Sequence, residues 1–235
     1  MTDGPACVSA ERPITLDARQ VVATLAGHMT QVRRVMKPQP ATPPQQHQYP
    51  SGIWGWWSDT PHKHGTSMAH ICPYGRPGDR LWVRETWGIG TRPDPHEGWR
   101  DGIEYKADAL SLQVGESLPL YAVDTPKGVC LDDYSTGRWK SPRSMLRWAS
   151  RLTLEVVSVR AERLQDISPH ELSTTDLLAA GLPRHNFGSD YSTGLERYVL
   201  LEDFKRLWDA TNGKTHPWVS NPWVWRVAFR VVPGC

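Results

Sequence analysis

The chain has 235 residues, a formal net charge of +2 and a hydrophobic content of 39%. That length provides for one large domain or two small ones, and that apolar share excludes a disordered chain. A near balance of charge excludes a polycation, so any contact with nucleic acid requires a local basic patch.

Residues 1–12 read as a flexible tail. Asp17 then stands as a helix N-cap with Gln20 three residues on, the capping-box spacing. Val21, Val22 and Leu25 supply a helical apolar face, and Gly27 is the expected stop. Residues 31–37 form a basic, strand-like stretch carrying Arg33, Arg34 and Lys37. Residues 38–50, rich in Pro and Gln, are expected to hold no regular element. Residues 52–77, dense in Trp and His, are expected to be loop. A strand over 79–87 is entered through Pro77-Gly78-Asp79. Residues 88–142 read as an elaborated insertion with short strand candidates at 103–107 and 118–123.

The clearest strand covers 151–164. Leu152, Leu154 and Val156 alternate, and then Val157, Val159 and Ala161 alternate on the shifted phase, which predicts a bulge near Val156. Ser168, Pro169 and Glu171 form a second capping box, opening a helix to about Ala180. A third helix is expected over about 196–210 and a last strand over 223–232. The order suits an α+β chain with flanking helices, a single domain over 13–232.

No apolar run approaches the ~20 residues of a membrane-spanning helix. Residues 1–13 lack the basic start and apolar stretch of a signal peptide, so the expected compartment is the cytoplasm. Cys7, Cys72, Cys130 and Cys235 are far apart, as free thiols would be. His62, His64, His70 and Cys72 are metal-ligand types without metal-ligand spacing, so no metal is expected, and no cofactor motif appears. Trp is unusually common, at 12 residues; Trp54, Trp56 and Trp57 are either a stacking platform or a packed lid, and packing is the simpler reading.

Several segments taken together resemble the ASCH family as it occurs in phage and prophage genomes. They are Gly27-His28-Met29-Thr30-Gln31-Val32-Arg33-Arg34, Lys37-Pro38-Gln39-Pro40, Cys72-Pro73-Tyr74-Gly75 and the run from Pro77 through Trp82-Val83-Arg84-Glu85 to Trp87. Further on come Arg147-Trp148-Ala149-Ser150-Arg151, Arg163-Leu164-Gln165-Asp166-Ile167-Ser168 and Asn221-Pro222-Trp223-Val224-Trp225. The resemblance implies a PUA-like small β-barrel with a cleft between barrel and helices, and RNA or a modified nucleoside as ligand. Some small members are amidohydrolases on N4-acylated cytidine that use a Lys, a Thr and a Glu.

Those three positions align here with Met29, Val32 and Ala180. Met, Val and Ala hold neither a proton-carrying group nor a hydroxyl, so packing is kept and chemistry deleted. His28, Thr30 and Asp176 are the nearby groups from which a rearranged amidohydrolase site could be built. Arg34 matches a basic residue of the family motif and suits a phosphate or base edge, with Arg33 and Lys37 adding charge beside it. Thr30, Glu85 and Trp82 complete the expected ligand set, with Glu85 facing the cleft or paired with Arg80, Arg84 or Arg34. Three functions remain open: a nucleoside- or RNA-binding protein without hydrolysis, a rearranged hydrolase, and a phage-encoded scaffold or interaction module.

Overall fold

The structure is a computed structural model, which describes residues 10–48, 54–59, 67–94, 98–110, 119–121, 139–168, 171–172 and 194–232. Among them the chain forms ten strands and two α-helices, an α+β arrangement. The first helix, α1 (Ala18–Leu25), starts where the sequence requires. The Asp17 side chain accepts from the Gln20 amide at 2.9 Å, and the Gln20 side chain accepts from the Asp17 amide at 3.1 Å. Gly27 ends the turn at φ +71°, a conformation that disfavours any Cβ.

The main sheet contains β1 (Glu11–Thr15), β2 (Gln31–Val35), β6 (Arg80–Arg84), β9 (Thr153–Arg163) and β10 (Trp223–Val232). Its order is β1-β6-β9-β10-β2. The β1–β6 pair is parallel and the other three are antiparallel. Strand β10 is the spine, paired with β9 on one side and β2 on the other. The expected bulge is present: Ala228 pairs Ser158 and Phe229 pairs Val156, leaving Val157 as the extra residue.

Three expectations are corrected. Glu11 and Arg12, assigned to the tail, belong to β1; its parallel pairing with β6 leaves no local signal in the sequence. The stretches at 38–50 and 52–77, expected to lack strands, contain β3 (Gln45–Gln48), β4 (Trp54–Asp59) and β5 (Ser67–His70) in a separate antiparallel sheet. Trp56 lies on a buried face of β4 and meets Trp225 of β10 edge to face, with ring centroids 4.8 Å apart. And no barrel closes among the described residues: β1 pairs only with β6 and β2 only with β10, so the sheet keeps two edges. Pro13 removes a ladder donor from β1. Side chains from both sides of the opening, Ile14 and Leu16 on one and Val32 and Met36 on the other, share one core.

The described part of the expected insertion is a hairpin of β7 (Trp87–Asp94) and β8 (Gly98–Tyr105), with its own core of Trp87, Ile89, Ile103 and Tyr105. Of the candidate strand at 118–123 only residues 119–121 are described, and there Tyr121 bridges to Ile103. The second helix, α2 (Gly194–Asn212), packs Phe204 and Trp208 against Leu164, Ile167 and Val224 on the outer side of the sheet. No described helix is long and apolar enough to cross a membrane.

One ion cluster ties the hairpin layer to the main sheet. Arg151 donates two hydrogen bonds to Glu85, each 3.0 Å, and others to Asp108 and Tyr121, each 3.1 Å. Its guanidinium also lies 4.0 Å from the Tyr105 ring centroid. Burial pushes the Glu85 carboxyl up, and the Arg151 fork opposes that push. Replacing Arg151 with Met leaves Glu85, 1% exposed, without its cation, at a cost of about 3–5 kcal/mol. With the fork gone, folded Glu85 holds a proton that the unfolded chain releases, so stability falls as pH rises. Urea titrations at pH 5 and pH 8 check this: the Arg151→Met variant unfolds at lower urea at pH 8, by more than the parent does.

Candidate functional site

The opening between β1 and β2 is where side chains converge. A cleft of about 430 Å³ lies there, bounded by Thr15 and Asp17 on one side, Val32 to Val35 on another, and Phe204, Leu207 and Trp208 of α2 on the third. A second cavity of about 340 Å³ adjoins it, lined by Lys37, Tyr74, Thr215, His216 and Trp225 among others. The two meet at Arg34, Val35 and Asn212. Both volumes fall in the ordinary range for small-molecule sites.

Each wall is fixed by local chemistry. Arg34 sits on edge strand β2 opposite Trp225, and its Nη2 donates to the Thr15 carbonyl at 2.8 Å, reaching across the opening to β1. At the end of β2 the Gln39 side chain donates to the Met36 and Trp223 carbonyls (2.7 and 3.0 Å) and accepts from the Trp223 amide (2.8 Å), which anchors the segment carrying Lys37. Tyr74 is held by a tight turn in which the Gly75 amide donates to the Cys72 carbonyl. Gly75 has φ +89°, and a Cβ there would fall 2.4 Å from an Asp79 carboxylate oxygen, so only glycine fits. Burial pushes the Tyr74 phenol up, opposed by the Arg34 charge, so it stays a neutral hydroxyl. Beyond α2 the chain folds back: Trp208 Nε1 donates to the His216 carbonyl at 2.8 Å, and Asp209 accepts from the Trp218 amide at 2.7 Å.

Arg33 plays another part. Its side chain is 2% exposed, and it donates to Glu162 and to Glu171, each at 3.1 Å. Arg226 completes the group, reaching Glu171 at 2.6 Å and the Gln31 side chain at 2.7 Å. Glu171 also accepts from the Ser168 amide at 2.9 Å, while Ser168 Oγ accepts from the Glu171 amide at 3.3 Å, so the expected second capping box forms. Burial pushes Glu162 up despite Arg33 and Arg226. Burial acts on Glu171 in the same sense, but the Ser168 amide and the two arginines outweigh it and hold the carboxyl low.

Of the residues singled out from the sequence, Val32, Arg33 and Arg34 border the cleft. Met29 is 1% exposed and packs in the inner core. His28 and Thr30 are exposed, and neither lines the two cavities. Asp176, Ala180 and the helix expected to carry them lie outside the described residues, as do His62 and His64. Trp82 is buried under the Arg84 guanidinium, 4.6 Å from its ring centroid. Glu85 pairs with Arg151 rather than Arg80, Arg84 or Arg34, because the antiparallel register of β6 and β9 brings Arg151 alongside it. Cys72 is buried, and burial pushes its thiol up to about 12, which makes it a poor nucleophile. His70 is buried against Ser58 Oγ at 2.7 Å. No group of three or more metal-ligand types converges among the described residues.

The sequence reading missed Tyr74 and His216 as lining residues and took Lys37 only as added charge beside Arg34. Lys37 and Tyr74 stand inside two of the family-like segments, which was the available signal; His216 follows α2 with none. No family model, curated protein or solved structure matches this chain. Because Met29 is enclosed by apolar side chains, Met29→Lys buries an ammonium and costs about 4 kcal/mol. Thermal melts check this: Met29→Lys melts well below the parent, and Val32→Thr, which buries a hydroxyl at a 1% exposed position, falls by a smaller amount.

Proposed function

We propose that this chain is a PUA-like, ASCH-type binding protein whose cleft holds a nucleoside, free or within single-stranded RNA, without hydrolysing it. On this reading the open main sheet is a pseudo-barrel whose two edges face each other across the cleft. The observation that carries the proposal is Arg34. It is half-buried where both cavities meet, and among the described residues it makes no ion pair. A guanidinium has five donors, and its contacts to Thr15, Arg33 and Tyr74 leave part of the fork for a ligand.

The wall opposite Arg34 supplies what a base needs. Phe204, Leu207 and Trp208 with Val32 and Val35 give an apolar slot, while Gln20, Thr211 and Asn212 border it with amide and hydroxyl groups. Among the described residues hydrolysis lacks a comparable basis. Met29 and Val32 carry no proton-transfer group, and His28 and Thr30 stand away from both cavities.

Binding of cytidine by calorimetry, and of a labelled single-stranded RNA pentamer by fluorescence anisotropy, tests the proposal at low salt. Saturable binding is expected for both, weakened at least about tenfold in Arg34→Ala. Absence of binding at high micromolar concentration, or binding indifferent to Arg34→Ala, overturns it.

A further inference from the structure

We infer that the smaller cavity is a phosphate subsite, so that the cleft takes a nucleotide in preference to the bare nucleoside. This rests on the nucleoside reading of the larger cavity. The two compartments differ in chemistry. The larger has an apolar wall and includes Asp17, whose carboxylate is used in capping α1. The smaller has two cations, Arg34 and Lys37, and no carboxylate among the described residues that line it.

Neither cation makes an ion pair among the described residues, although like charges brought into one cavity repel. An anion relieves that repulsion, and a phosphate presents enough acceptor oxygens to use both. Further polar groups stand beside the cations. The Tyr74 hydroxyl keeps its proton because burial pushes the phenol up. His216 lines the same cavity, with its Nδ1 bonded to Thr215 Oγ1 at 2.9 Å. Asn212 contributes an amide at the junction.

Position supports the same conclusion. Arg34, Val35 and Asn212 border both compartments, so a ligand seated across them has its planar, apolar part on one side of Arg34 and its charge on the other. That division is the division of a nucleotide. The phosphate belongs either to a mononucleotide or to an RNA strand, and the chemistry of the subsite is the same for both.

The test is calorimetry with cytidine, cytidine 5′-monophosphate and an RNA pentamer lacking terminal phosphates, on the parent and on Lys37→Met. Lys37 is exposed, so the variant is expected to fold, with an unchanged melting temperature as the control. The parent is expected to bind the monophosphate at least about tenfold more tightly than cytidine, with added salt narrowing that ratio. Lys37→Met is expected to remove most of the ratio while leaving cytidine affinity unchanged. Lys37 dependence shared by the pentamer assigns the subsite to strand phosphates as well; dependence confined to the monophosphate assigns it to a terminal phosphate. Equal affinity of the parent for cytidine and its monophosphate, or an equal loss for both in Lys37→Met, overturns the subsite and leaves the nucleoside reading standing. Failure of all three ligands to bind overturns both.

Discussion

A guanidinium with a 2% exposed side chain must be met by carboxylates, and that requirement organises the outer side of the main sheet. Arg33 lies on β2, Glu162 on β9, Arg226 on β10 and Glu171 just after the Ser168 cap. Four separate parts of the chain are therefore held in one register by one charged group. Side chains alternate along a strand, so placing Arg33 on the outer side commits Val32 to the inner core and Arg34 to the cleft. A slip of one residue would reverse all three. The opposite directions in which Glu162 and Glu171 are moved reflect the same geometry, since Glu171 alone gains the backbone amide of its own capping box.

The opening between β1 and β2 follows from what its edges are made of. Strand β1 is short, contains Pro13 and runs directly into the cap of α1, so it offers a poor ladder to a second partner. Strand β2 therefore ends as an edge, and Arg34 reaches the Thr15 carbonyl with a side chain instead of a backbone ladder. A gap crossed by one side chain leaves room that a closed barrel would have filled. The helix α2 roofs that room from outside, with Phe204 and Trp208 also packed into the second core. The same residues thus hold the helix in place and supply the apolar wall of the cleft.

The segment from Met29 to Arg34 packs into the inner core at one end and borders the cleft at the other. Met29 and Val32 join Ile14, Leu16 and Trp225 in one core, where a lysine would demand burial of a charge. Charge has instead collected a few residues along, at Arg34 and Lys37, beside the Tyr74 hydroxyl. The cleft thereby combines cations, neutral donors and an apolar wall.

The sequence by itself determined whatever depends on neighbours along the chain. The Asp17 and Ser168 capping boxes, the Gly27 stop, the phase change that produces the Val157 bulge and the last strand were all legible, because caps, glycine conformations and side-chain alternation act over a few residues. Tertiary structure alone decided the rest. Strand β1 exists through its parallel partner β6, and the polar β3 through its pairing with β4. The cation that answers Glu85 is Arg151, 66 residues away, selected by the β6–β9 register. The cleft joins Thr15, Arg34, Tyr74 and His216 from four distant stretches, so the types were readable but their meeting was not. Local rules name which residues are able to donate, cap or pack; only the closing of long loops decides which of them share a volume, because that choice is made by burial summed over the whole fold.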